Sequence, residues 1–174
     1  MMVFMAAPSK RPNVTATLGN IPEGAPGIAA TLRIMREMVK EGQSCMVVRN
    51  QVIDLCRNVE QKNFWKEAEA CHTFVRDEIR YMQDPLDFEL VQVPRVTLQL
   101  STGDCDDKAT LICAMLECMG HPTRFVAVGF KPGIFEHVYA ETMIGRKWIA
   151  LETTEPVPIG WQPPDRIIKA RMYG

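Results

Sequence analysis

The stretch that decides the fold is Ser101-Thr-Gly-Asp-Cys-Asp-Asp-Lys108. It reads as a polar turn that opens a helix. Asp104 suits the capping position, where a short side-chain oxygen satisfies a free backbone N–H. Asp106 and Asp107 follow in the first turn, where the helix dipole favours negative charge. Ala109, Ile112, Cys113, Leu116 and Met119 then recur at helical spacing and give this helix a buried face. Gly120 ends it and Pro122 prevents continuation.

Three short β-type runs come next. Thr123–Phe130 is the first, with Lys131-Pro-Gly133 as its turn. Phe135–Met143 is the second, and Gly145-Arg146 is a tight turn to the third, Lys147–Glu152. Working upstream, Asn63 to Met82 reads as a helix with Phe64, Ala68, Cys71, Val75, Ile79 and Met82 on one face. Asn63 is its N-cap, and Asp84-Pro85 ends it. Residues 84–98, with Pro85 and Pro94, read as an irregular connector. Ile28, Leu32, Met35 and Val39 form one earlier helical face, and Val48, Val52, Leu55 and Val59 a second. Glu41-Gly-Gln-Ser44 separates them, so residues 27–60 are expected to form a helical hairpin. Residues 1–26 read as an extended arm, 61–155 as the core, and the proline-rich 156–174 as an extended surface tail.

The composition sets outer bounds. The chain has 174 residues, 47% of them apolar and 24% charged, which fits one globular domain. Lys and Arg number 20 against 21 Asp and Glu, a net charge of -1. No basic excess points to nucleic acid or an anionic membrane. No apolar run approaches the roughly 20 residues that cross a bilayer. Met1–Ala7 is too short for a signal-peptide core and has no basic residues before it. The six cysteines are far sparser than the roughly 8–10% of a disulfide scaffold. A reducing, cytoplasmic setting is therefore expected, and the question becomes whether one cysteine is special.

Cys105 is the one to weigh. A helix N-terminus offers free N–H groups and partial positive charge, which stabilise a thiolate. Asp104, Asp106 and Asp107 oppose that effect, so a cationic partner is needed. A free cysteine is also often a small packed hydrophobe, and helix position alone does not separate the two readings. Among the histidines, His72 reads as a boundary residue and His121 as a helix-end cation. His137 begins a strand on the same side as Tyr139 and Glu141. On the next strand Trp148, Ala150 and Glu152 share a face, which puts Glu152 within reach of His137. A nucleophile, a base and a carboxylate that orients the base form a catalytic relay.

The ordered set Gly103-Asp-Cys-Asp-Asp-Lys-Ala-Thr-Leu111, Gly120, Arg124-Phe-Val126, His137-Val and Trp148-Ile-Ala-Leu-Glu152-Thr resembles the transglutaminase-like superfamily. Val75-Arg-Asp-Glu-Ile-Arg-Tyr81 and Asp84-Pro85 extend the likeness, which covers about residues 64–154. In its brevity the chain is similar to a small bacterial or bacteriophage member. The resemblance implies an α+β, papain-like core with helices on a small antiparallel sheet. It implies Cys105 as nucleophile, His137 as its base or ion-pair partner, and Glu152 where the family normally has aspartate. Gln99, six residues before Cys105, has the spacing papain-like enzymes use for an oxyanion donor, although Val96–Leu100 also reads as a strand.

Other chemistry fails on spacing. There is no Cys-x-x-Cys for zinc, no EF-hand loop and no phosphate-binding glycine loop, so neither metal nor cofactor is expected. The expected partner is a peptide or protein substrate, attacked at an amide bond. Hydrolysis of a peptide or isopeptide bond is the first reading. Cross-linking by transamidation, or a non-enzymatic binding module on the same fold, are the alternatives. The catalytic reading expects one unusually reactive thiol, Cys105.

Overall fold

A computed structural model of the chain describes residues 24–83 and 91–174. The arm expected at residues 1–26 therefore lies almost wholly outside the described residues, as does the 84–90 part of the connector. The elements run α1 (Ala25–Ser44), α2 (Met46–Cys56), α3 (Phe64–Glu78), β1 (Arg80–Tyr81), α4 (Pro94–Leu100), β2 (Thr102–Gly103), α5 (Cys105–Glu117), β3 (Thr123–Gly129), β4 (His137–Ile144), β5 (Lys147–Leu151) and β6 (Ala170–Tyr173). The architecture is α+β, with helices packed on a four-stranded antiparallel sheet of order β5-β4-β3-β6.

α5 is the central helix. Every residue from Asp106 to Leu116 is buried. The sequence pattern predicts a single apolar stripe, but a helix with no exposed face belongs at the middle of a core. α1 runs along it, joined by Arg36, whose guanidinium pairs with Glu117 and also donates to the Thr123 carbonyl. α1 contributes Leu32, Met35 and Val39 to this core, and α3 contributes Ala68, Cys71 and Val75.

Four local expectations are corrected by packing. The break between the first two helices falls at Cys45 alone, which is extended (φ -76°, ψ 124°), and Gly42 lies inside α1. α3 ends at Glu78, where the chain turns extended so that Arg80 and Tyr81 can pair in parallel with Thr102 and Gly103. The run Val96–Leu100 is helical in spite of its β-branched residues. Pro94 occupies the first turn of α4, where its fixed φ and missing N–H are harmless, and Ser101 closes the helix in the left-handed region (φ 52°). Finally, the tail is more than surface chain: Ala170–Tyr173 hydrogen-bonds along β3 as an edge strand. With Pro163 and Pro164 just upstream, no periodic run announces it.

Gly42 marks a close approach of α1 to α4 and α5. A Cβ there would stand 2.5 Å from Pro94 Cγ and 2.8 Å from the Ala114 Cβ. Gly42→Ala should gain about 0.5–1 kcal/mol of helix propensity and lose about 1–3 kcal/mol to overpacking. A lower urea midpoint is therefore expected, and an unchanged or higher midpoint contradicts this packing.

Candidate active site

The helix start is built by short-range bonds. Asp104 is the N-cap, its Oδ1 accepting from the Asp107 N–H at 3.3 Å. Asp107 is clamped in turn by Gln92, whose backbone N–H and Nε2 donate to its two oxygens at 2.6 Å each. Gly103 makes room for this, because a Cβ there would lie 2.6 Å from Asp107 Cβ. Lys108 is buried and donates from Nζ to the carbonyls of Ile79 (2.7 Å) and Arg76 (3.3 Å). It caps the C-terminal end of α3 from α5. Burial lowers its pKa to about 8, although Glu152 and Asp77 pull the other way.

Cys105 begins α5, so its own N–H is one of those a helix leaves without an intrahelical partner. Its sulfur is half-buried and faces the backbone N–H groups of Val138 and Asp106. Val138 directly follows His137, so the sulfur lies against the strand that carries the imidazole. Burial pushes the Cys105 thiol well above the ordinary cysteine range, and the charges of Asp106 and Asp104 push the same way; the two N–H groups only partly offset this. In this geometry burial and the neighbouring aspartates favour the protonated thiol. The lowered thiol is Cys56, through a hydrogen bond with Cys71. All six cysteines are free.

His137 and Glu152 meet. Nε2 of His137 lies 2.6 Å from Glu152 Oε2. The other carboxylate oxygen, Oε1, accepts from the Thr154 N–H at 2.8 Å and the Thr154 hydroxyl at 2.7 Å. Glu152 is 1% exposed, and burial raises its pKa; the bonds from His137 and Thr154 outweigh that and hold the carboxyl below its usual value. An ionised carboxylate only accepts, so the proton of a neutral His137 sits on Nε2 and the lone pair on Nδ1. The His137 ring also stacks beside Tyr139, with centroids 6.3 Å apart.

His72 corrects its boundary assignment. It is buried, and its Nε2 donates to the backbone carbonyl of Glu152 at 2.6 Å. α3 thereby holds the main chain of the residue whose side chain holds His137. His121 is likewise buried rather than a simple helix-end cation: its Nε2 lies 2.7 Å from Glu67 Oε2, and its ring meets Phe64 edge-on. Gln99 is exposed in the last turn of α4. Sequence reasoning missed Thr154, His72 and Lys108. The only signal for Lys108 was its place in the Gly-Asp-Cys stretch, where it read as part of a polar turn. Among the described residues no group of three or more His, Cys, Asp or Glu side chains could hold a metal ion, and no helix is long and apolar enough to cross a membrane.

Fold and helix-start cysteine together define a papain-like, transglutaminase-core domain. Residues 52–153 match the profile of the transglutaminase-like superfamily, and the chain belongs to that superfamily. No curated protein sequence matches the chain. Several solved structures do. A candidate protease from Parabacteroides distasonis ATCC 8503 superposes with a TM-score of 0.58 at 16% identity, over 74% of this chain and 26% of its own. A candidate cysteine protease from Cytophaga hutchinsonii gives 0.53 at 16% identity, over 86% and 50%. Calcium-bound LapG from Legionella pneumophila gives 0.52 at 18% identity, over 72% and 76%. The chain thus spans about a quarter of the first of these and half of the second. At such identities the likeness is one of fold.

Burial lowers the pKa of His72, and the charge of Arg76 adds to this, against the opposing hydrogen bond to Glu152. The unfolded chain therefore takes up a proton near pH 6.5 that the folded chain refuses until lower pH, so stability falls as pH drops through that window. Urea midpoints measured from about pH 7.5 to 5 should decline in the wild type and decline less in His72→Gln. Equal slopes contradict a neutral, buried His72.

Proposed function

We propose that the protein hydrolyses an amide bond in a peptide or protein, with Cys105 as nucleophile, His137 as general base and Glu152 as the residue that orients it. The observation that carries this reading is the His137–Glu152 pair. One carboxylate oxygen is bonded to Nε2 and the other is fixed by Thr154, which leaves Nδ1 as the base beside the strand that meets the Cys105 sulfur. Membership of the transglutaminase-like superfamily supports the reaction class, and the fold likeness to proteins named as proteases supports hydrolysis.

The chemistry runs by general base catalysis, because burial keeps the resting sulfur protonated. His137 Nδ1 accepts the thiol proton as the sulfur attacks the carbonyl carbon. Glu152 stabilises the imidazolium that forms. The backbone N–H of Cys105, at the start of α5, serves as the oxyanion donor in this reading. Gln99 shares the family spacing, and its exposure on α4 argues against it as that donor. When the tetrahedral intermediate collapses, the C–N bond breaks and the imidazolium proton passes to the departing nitrogen. A thioester remains. Water then attacks it, giving one proton to His137. The C–S bond breaks, the acid product leaves, and the proton returns to the sulfur.

The test is digestion of a complex peptide mixture, read by mass spectrometry as new chain termini. Cys105→Ala should abolish them, and His137→Ala should slow their formation by on the order of 10²- to 10⁴-fold. Cleavage that survives Cys105→Ala refutes the assignment. Products in which glutamine is joined to lysine, with no new termini, would instead favour transamidation. Intact peptides with either protein would favour the binding module.

Thr154→Val removes one of the three donors to the Glu152 carboxylate. Losing a bond to a charged group of about 1.5–3 kcal/mol should raise the Glu152 pKa. The imidazole is then held less firmly, and kcat should fall more than KM changes. Thr154→Ser should restore the wild-type kcat; an unchanged kcat in Thr154→Val shows that Thr154 has no part in positioning.

A further inference from the structure

A cleft of about 530 Å³ opens beside His137 and Glu152. Tyr81, Phe130, Val157, Trp161, Pro163 and Ile167 form its apolar walls. Tyr81, Phe130, Trp161 and Ile167 are exposed by 49%, 38%, 36% and 44%, so four large apolar side chains crowd one opening to solvent. Surfaces of that kind, around a concavity with a few polar groups, are where ligands bind. Thr154 and Glu155 complete the lining, and Cys105 is not among the lining residues.

We infer that this cleft receives the leaving half of the substrate, and that the residue just after the broken bond carries a bulky apolar side chain. The inference rests on Cys105 being the nucleophile. The acyl carbon becomes bonded to the sulfur, which lies against the Val138 N–H. The departing nitrogen takes its proton from the imidazole and so must lie against His137. Whatever is attached to that nitrogen extends away from the sulfur, over the imidazole, into the cleft that His137 and Glu152 border. The volume accommodates a large side chain with its backbone.

Charge narrows the occupant further. The described lining residues include two carboxylates, Glu152 and Glu155, and neither lysine nor arginine. The departing amine becomes an ammonium group once protonated, which suits this lining. An acidic residue in the leaving half would be repelled. Most of the walls come from residues 155–167, beyond the 52–153 span of the superfamily match. This preference is therefore written in the chain's own C-terminal segment, not in its shared core.

The probes are simple amines that mimic the leaving half: glycinamide, leucinamide, phenylalaninamide and n-butylamine. They are titrated into the full-length Cys105→Ala protein and followed by the NMR shift of the Trp161 indole. Phenylalaninamide and leucinamide should bind at least about tenfold more tightly than glycinamide, given the apolar area each can bury. Ile167→Ser, at an exposed position that leaves the Trp161 reporter in place, should reduce that preference. Equal affinity for all amides, or a Trp161 signal that does not move, overturns the inference. So does a preference for n-butylamine, which mimics the lysine side of an isopeptide bond. Failure of the catalytic reading shows elsewhere, as wild-type protein that produces no Cys105-dependent termini, and it removes the leaving-half role even if the amides bind. Uniform amide binding with Cys105-dependent cleavage intact overturns the cleft assignment alone.

Discussion

A buried carboxylate is the constraint around which this site is organised. Glu152 is almost wholly out of water, where an unpaired charge would cost several kcal/mol. It is tolerated because both of its oxygens are satisfied: one by His137, the other twice by Thr154. Its backbone carbonyl is held by His72 from α3. α3 is in turn tied to α5 by Lys108, which closes its last carbonyls three residues after Cys105. One chain of polar contacts therefore links the helix that begins at Cys105 to the carboxylate and the carboxylate to the imidazole. Each member is buried or half-buried, so each loss would leave a stranded partner.

That arrangement also accounts for glutamate where the superfamily usually has aspartate. A longer side chain has one more torsion to fix, and Thr154 fixes it with two bonds to a single oxygen. The outcome is a carboxyl held below its normal pKa despite burial, which keeps it ionised and able to accept from Nε2. The thiol is the opposite case. Burial and two neighbouring aspartates favour its protonated form, so in the proposed mechanism His137 takes the proton at the moment of attack and not before.

Much of this was legible in the sequence. Gly103-Asp-Cys105 announced a capped helix start, and Asp104 caps it as its residue type demands. Alternation along His137–Glu141 and Trp148–Glu152 put His137 and Glu152 on one face, and the two side chains meet. What stayed hidden has a common physical cause. His72, Lys108 and Thr154 are polar residues whose burial is decided by distant carbonyls and carboxylates, and local pattern carries no trace of such partners. The same holds for α4, where a proline at the first turn outweighs β-branched neighbours, and for β6, which is a strand only because the β3 edge offers it hydrogen bonds.

The central claim is that His137 is the base for Cys105. Its most direct measurement is the rate of Cys105 alkylation by iodoacetamide against pH, read by mass spectrometry in the wild type and in His137→Asn. In the wild type Cys105 should be alkylated readily in the neutral range. In the variant Cys105 should stay inert until the pH approaches that of its own raised titration. Identical profiles in the two proteins would contradict the account.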